Sequence, residues 1–169
     1  TLTHVAARAL NGTQQSEVYK AMPEVTFSSD DRGCLVIHAP NLLDDALVTN
    51  DLVQLVDSHS FKYLGRIDEV INSGGVKHSP EVLERKLRQY LSGNFVISSA
   101  PHPTLGEQIV LVKDHSGPSN ESVNQAITHL MPLERPKLIL NLEAIPITDT
   151  GKFKRKELRD LIRNQHKYS

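Results

Sequence analysis

The apolar pattern of this chain changes period once, between Gly65 and Asp68, and that change limits what the chain can fold into. Before it, apolar residues come in short β-rich runs: Val25-Thr26-Phe27, Cys34-Leu35-Val36-Ile37, Leu52-Val53-Gln54-Leu55-Val56 and Phe61-Lys62-Tyr63-Leu64. Turn-forming residues separate them, Ser29-Asp30-Asp31-Arg32-Gly33 in one place and Asp57-Ser58-His59-Ser60 in another. The second spacing predicts a hairpin. With no helical period between the runs, a small antiparallel sheet or barrel is expected.

After Gly65 the pattern mixes two periods. Val70-Ile71 leads into Asn72-Ser73-Gly74-Gly75, which reads as a loop whose glycines adopt backbone angles closed to other residues. Ser79-Pro80 starts a helix, with serine as N-cap and proline at the first helical position. Leu83, Leu87, Tyr90 and Leu91 are expected on its buried face. Val96-Ile97, Ile109-Val110-Leu111-Val112 and Leu138-Ile139-Leu140 read as strands. A second helix is predicted from about Asn120 to Met131, burying Val123, Ile127, Leu130 and Met131. A third, about Lys154 to Asn164, buries Leu158, Leu161 and Ile162 and turns its basic residues outward. The fold class expected is α+β: an antiparallel β segment over residues 1–67, then a small α+β domain of helices on a short sheet over residues 68–169.

Composition narrows the function classes. At 169 residues, with 38% hydrophobic and 23% charged residues, the chain suits one ordinary domain or two small ones. No apolar run approaches the roughly 20 residues that span a bilayer, and Thr1 to Leu10 lacks the pattern of a signal peptide. The single cysteine, Cys34, excludes an internal disulfide and fits a reducing compartment, so the cytoplasm is expected. Seven acidic residues lie between Glu24 and Asp57 against Arg32 alone, whereas Gly151 to Ser169 holds seven basic residues against Glu157 and Asp160. The basic end is either a solvated face or a contact for something anionic. No aromatic residue is interleaved with that run, so no base-stacking platform is expected and nucleic acid is not a predicted partner. The eight histidines are scattered without metal-ligand spacing, and no metal site is expected. No Gly-Xaa-Ser-Xaa-Gly elbow or Walker loop occurs.

Two stretches carry possible chemistry. One is Gly65-Arg66-Ile67-Asp68-Glu69-Val70-Ile71-Asn72-Ser73-Gly74-Gly75, continuing to Pro80-Glu81-Val82-Leu83-Glu84. It sets an arginine/aspartate pair at the change of period, ahead of a glycine turn and a capped helix. The other is Pro146-Ile147-Thr148-Asp149-Thr150-Gly151-Lys152, which puts a lysine just past a glycine. Taken singly, each has a plain reading, a surface ion pair and a solvated lysine.

Together, in this order and spacing, they resemble signatures of the adenylate-forming superfamily, which includes acyl-CoA synthetases, peptide-synthetase adenylation domains and firefly luciferase. The first resembles that family's Gly-Arg-Xaa-Asp…Gly…Pro-Xaa-Glu-Ile-Glu segment and the second its Pro-Xaa-Thr-Xaa-Xaa-Gly-Lys segment. Upstream, Thr49-Asn50-Asp51 resembles the family's Thr-Gly-Asp, departing at Asn50, and His102-Pro103 with Leu105-Gly106-Glu107 resembles a further stretch. The resemblance runs from about Val25 to Leu161.

It implies that residues 1–67 are the end of a large N-terminal domain and 68–169 a mobile C-terminal lid. It also implies an ATP-dependent acid–thiol ligase that forms an acyl adenylate and then a CoA thioester, using ATP, Mg2+, coenzyme A and a small carboxylate. Asp51 would accept hydrogen bonds from the ribose hydroxyls, and Arg66 would lie near ribose and phosphate. Asp68 would be the hinge, while Ser73, Gly74 and Gly75 would border the pantetheine path. Lys152 would reach the carboxylate and α-phosphate during adenylation. The glycine-rich phosphate loop has no match here, so the chain is expected to be part of a longer enzyme and inactive without the missing N-terminal domain. Ser73-Gly74-Gly75 and the spacing from Arg32 to Gly65 resemble the o-succinylbenzoate–CoA ligase branch of menaquinone synthesis. A carrier-protein-loading adenylation domain and a non-enzymatic anion-binding module are the alternatives.

Overall fold

Short polar turns, residues 30–33 and 58–59, close two hairpins of the first half. The structure, a computed structural model, describes residues 4–13 and 15–166, the last two by backbone only. Lys167, counted above in the basic end, lies outside them. The chain divides into two units, Thr1–Asp68 and Glu69–Ser169.

The first unit is one antiparallel sheet built from β1 (Ala6–Ala7), β2 (Val18–Ala21), β3 (Thr26–Ser29), β4 (Cys34–His38), β5 (Leu47–Asp57) and β6 (Ser60–Arg66), in the order β1-β2-β6-β5-β4-β3. The turn between β3 and β4 forms because the Asp30 carboxylate accepts the backbone N–H groups of Arg32 and Cys34, both at 2.9 Å. These bonds hold its pKa below the usual carboxylate value, the Cys34 N–H contributing most. Val25, Phe27, Leu35, Ile37, Ala39, Val53 and Phe61 make the core. Phe61 stacks on Tyr19 at 5.3 Å and meets Phe27 edge-on at 4.9 Å. Burial pushes the Cys34 thiol up, away from thiolate reactivity. The strands β1 and β2 had no sequence expectation, being too short and mixed to show a period.

The second unit centres on β9 (Phe95–His102) and β10 (Gly106–Lys113), an antiparallel hairpin, with β11 (Leu138–Asn141) parallel to β10. Period-2 alternation splits its core. Phe95, Ile97, Ile109 and Leu111 face one side, with Leu83 and Leu87 of α1 (Pro80–Leu87) and Val123 and Ala126 of α2 (Asn120–Ala126). Val96, Ala100, Val110 and Val112 face the other, with Leu158 and Ile162 of α3 (Arg155–His166). Helices therefore cover both faces, and the fold class is α+β. Among the described residues no helix is long and apolar enough to cross a membrane.

Several expectations are corrected. Asn72-Ser73-Gly74-Gly75 is not a loop: β7 (Ile71–Ser73) and β8 (Val76–His78) pair as a hairpin with the two glycines as its turn. Tyr90 lies beyond the end of α1, 52% exposed, stacked on His129 at 4.0 Å. Met131 is 68% exposed, because α2 gives way to a 3-10 turn at Ile127 and Pro132 forces Met131 into extended backbone, ψ 150°. Leu161 is also exposed. Arg155 points inward rather than out.

One buried group makes stability pH-dependent. His78, at the end of β8, is 7% exposed, and its Nε2 has no hydrogen-bond partner among the described residues. Burial lowers its pKa below 6.5, Glu134 opposing and Lys86 assisting to smaller degrees. The unfolded chain therefore binds a proton more readily, and stability declines as pH falls below the unfolded value of about 6.5, by at most about 1.4 kcal/mol per pH unit. Asp30, Asp57 and Asp114, with pKa values lowered from 3.8, act only in more acidic solution. Between pH 7 and 5.5 the midpoint of thermal unfolding should drop by a few degrees. His78→Phe should flatten that slope; a slope unchanged in the variant would place its origin elsewhere.

Candidate nucleotide site and lysine turn

Cross-strand register brings together residues that lie fifteen apart in sequence. Asp51 on β5 is the partner of Arg66 on β6. Arg66 Nη1 lies 3.5 Å from Asp51 Oδ1, while its Nε and Nη2 meet the two Asp68 oxygens at 3.0 and 3.1 Å. The planar fork thus bridges two carboxylates and matches the second bidentately. All three side chains are partly exposed, so the pairs contribute little stability, of order 0–1 kcal/mol. Their consequence is positional: a polar face with carboxylate acceptors and guanidinium donors, able to take paired hydroxyls and a phosphate.

The strand around Asp51 is fastened from behind. The Thr49 hydroxyl donates to the Leu35 carbonyl at 2.8 Å and accepts the Asp51 N–H at 3.1 Å. Arg32, held by Asp30, donates to the Asn50 side-chain oxygen at 3.3 Å and to the Thr49 carbonyl at 3.1 Å. Asn50, which departs from the glycine of the resembling motif, thereby gains a specific partner. Sequence reading passed over Arg32, which showed only as a lone base in an acidic stretch.

Asp68 sits in a 3-10 turn, Ile67–Glu69, where the first unit ends. Beyond it, Gly74 and Gly75 have φ of +61° and +84°, both in the left-handed region that a two-residue hairpin turn requires. A side chain at 74 would press on Leu105 at 3.1 Å, whereas one at 75 would meet open space. The Gly74 N–H donates to the Leu105 carbonyl at 3.0 Å, and Ser73 pairs with Gly106 of β10.

Lys152 lies in the second unit, on a tight turn. The Gly151 N–H donates to the Thr148 carbonyl at 2.8 Å, and Gly151 has φ +76°. The Thr148 N–H donates to the Lys152 carbonyl at 2.7 Å, and its hydroxyl accepts the Lys152 N–H at 3.1 Å. Ile147 bridges Phe153. The backbone of Lys152 is therefore fixed, while its exposed ammonium has no partner among the described residues. Lys154, by contrast, pairs with Glu157 at 3.4 Å. Among the described residues no three His, Cys, Asp or Glu side chains converge as metal ligands.

No protein-family model matches the chain. It is 35% identical over 124 residues to a salicylyl-CoA synthase / salicylate adenylyltransferase of Streptomyces sp, covering 69% of this chain and 22% of that protein. It is 34% identical over 119 residues to the non-ribosomal peptide synthetase CmlP of Streptomyces venezuelae, covering 69% of this chain and 12% of that protein. The chain thus spans about a fifth, or less, of the length of these curated relatives. Among solved structures it resembles an acyl-CoA synthetase (AMP-forming)/AMP-acid ligase II-like protein of Dyadobacter fermentans, at 31% identity and TM-score 0.51, covering 92% of this chain and 46% of that one. E. coli MenE with bound OSB-AMS shares the fold at TM-score 0.68 and 17% identity, covering 86% of this chain and 35% of that one.

Proposed function

We propose that this chain is the C-terminal part of an adenylate-forming acid–thiol ligase. The observation that carries the reading is the Asp51–Arg66–Asp68 cluster, set where one unit ends and followed by a second unit bearing a backbone-fixed Lys152 whose ammonium has no partner among the described residues. In this reading residues 1–67 close the large N-terminal domain and 68–169 form the lid. ATP, as its Mg2+ complex, a carboxylate and coenzyme A are the substrates.

The chemistry follows from charge. A carboxylate oxygen attacks the α-phosphorus of ATP, forming the acyl–phosphate bond and breaking the bond to pyrophosphate, so two anions must meet. Asp51 takes the ribose hydroxyls, Arg66 faces ribose and phosphate, and the Lys152 ammonium lies between the reacting anions. The lid then turns about Asp68 and withdraws Lys152. The coenzyme A sulfur attacks the acyl carbon, breaking its bond to AMP and losing its proton to solvent. The Ser73-Gly74-Gly75 turn borders the thiol's path, where side-chain-free Gly75 leaves room. Reusing one acyl site for both steps requires such a gated motion.

The finer reading takes o-succinylbenzoate as the acid, on the strength of the Ser73-Gly74-Gly75 turn and the compact interval from Arg32 to Gly65. The peptide-synthetase relative supports a second reading, in which a carrier-protein thiol replaces coenzyme A. Pyrophosphate exchange tests both levels. The isolated chain, lacking the phosphate loop, should exchange only at background with ATP and o-succinylbenzoate. The complete ligase should exchange well with that acid, and coenzyme A should discharge the adenylate. Robust exchange by the isolated chain would overturn the division of labour. Exchange with another acid, or discharge only to a carrier protein, would overturn the finer reading while keeping the ligase.

A further inference from the structure

Arg155, at the start of α3, is 14% exposed, and its partners lie on three other segments. Its Nε lies 2.9 Å from Glu69 Oε2, and its terminal nitrogens grip both oxygens of Glu84, on α1, at 2.8 and 2.9 Å. One of them also donates to the Ile97 carbonyl on β9 at 3.2 Å, while Glu84 accepts the Ile97 N–H at 2.8 Å. The arginine is 14% exposed, and the two glutamates 22% and 13%. Burial by itself would lower the guanidinium's pKa, but the hydrogen bonds to Glu84 and the charges of Glu84, Glu69 and Glu81 raise it overall. The cation is permanent, and its geometry is that of a closed network rather than a surface pair.

Fork satisfaction explains only part of this. Glu84 alone offers the bidentate match and anchors the start of α3 to the sheet. Glu69 adds a contact that packing does not need, and Glu69 directly follows Asp68 in the 3-10 turn. On its other side, Arg155 is three residues past Lys152 with no slack between them. Phe153 bridges Ile147, and the Lys154 N–H donates to the Pro146 carbonyl at 2.9 Å. With no side-chain partner among the described residues, Lys152 takes its position there through this backbone.

We propose that Arg155 is a positioning residue that, through Glu69, ties the segment following Asp68 to the Lys152 turn, so that rotation about Asp68 carries Lys152 as a rigid arm. This rests on the ligase reading. It differs from a purely structural role in which half-reaction it serves. Loosening the arm misplaces Lys152 for adenylation, where a displacement near 1 Å can cost up to about 10²-fold. The thioester step runs with Lys152 withdrawn.

The test uses the complete ligase carrying Glu69→Ala, in which Glu84 still holds Arg155 and the fold. Adenylation kcat should fall about tenfold, with KM for ATP changed less than about twofold. Thioester formation from synthetic adenylate and coenzyme A, and the unfolding midpoint, should stay near those of the parent. Glu69→Asp, which keeps the carboxylate charge that pairs with Arg155, should restore most of the rate. Equal losses in both half-reactions, or none in either, would overturn the positioning role. If Lys152→Ala in the same enzyme lowers adenylation selectively, that failure leaves the ligase reading standing. If Lys152→Ala adenylates normally, the ligase reading falls as well.

Discussion

Replacing Lys152 by alanine in the complete ligase is expected to slow adenylation by about 10²-fold or more and to leave thioester formation from preformed adenylate nearly unchanged. The size follows from losing one preorganised donor to developing charge, about 3 kcal/mol of transition-state stabilisation. The selectivity follows from the turn. Two hydrogen bonds to Thr148 and the left-handed Gly151 fix where Lys152 starts, while its exposed ammonium has no partner among the described residues. Lys154 and Lys156 also lie at this end of the second unit, and exposed charges are screened over roughly 8 Å at physiological salt. Only direct contact with the reacting oxygens gives a specific effect. Lys154→Ala and Lys156→Ala should therefore change both half-reactions by less than about twofold. Measured separately, by pyrophosphate exchange and by discharge of synthetic adenylate, the three variants must differ. Similar modest losses in all three would reduce the role of Lys152 to diffuse electrostatics.

On the proposed reading of Asp68 as hinge, Asp68→Pro is expected to part the two half-reactions by at least about tenfold, by holding the proposed lid in one orientation. Proline sets φ near −65°, which matches the 3-10 turn in which Asp68 lies here. It also disfavours helical backbone at Ile67, the first residue of that turn, so the N-terminal flank of the proposed hinge is restricted as well. The substitution removes the carboxylate that meets Arg66 bidentately, and Asp68→Ala controls for that loss alone. The alanine variant should slow both steps modestly and together, since the pair is half exposed. Equal, small effects of proline on both steps would make Asp68 a surface carboxylate without a hinge function.

Much of the fold was legible because local chemistry and tertiary context agree. Ser79 does cap α1, its hydroxyl accepting the Val82 N–H, with Pro80 at the first position. The interval Asp57 to Ser60 does close the β5–β6 hairpin. Leu83, Leu87, Val123, Leu158 and Ile162 are buried as their spacing requires. Where the reading failed, a local event broke the period: α1 ending before Tyr90, Pro132 ending the helix before Met131, and strands of three residues flanking Gly74-Gly75. Such short strands carry too few alternations to register against a loop.

The residues of the proposed site divide along the same line. From sequence alone, Asp51, Arg66, Asp68, the glycine pair and Lys152 fall into one ordered set only through the resemblance of their types and spacing to a family's motifs. Sequence also determined the chemistry each side chain can offer. Only the tertiary structure decided which of them meet. The β5–β6 register sets Arg66 opposite Asp51, and the 3-10 turn that follows brings Asp68 to its fork; register depends on turn length and buried faces rather than on the charged residues themselves. Likewise, nothing in the run Lys154-Arg155-Lys156 distinguishes its middle residue. The helix phase set by burying Leu158 and Ile162, together with the nearness of Glu69 and Glu84, turns Arg155 inward and leaves its neighbours in water. A charge of fixed type gains its role from which partners the packed helices place within about 3 Å of it, since only a paired and hydrogen-bonded charge is tolerated out of solvent.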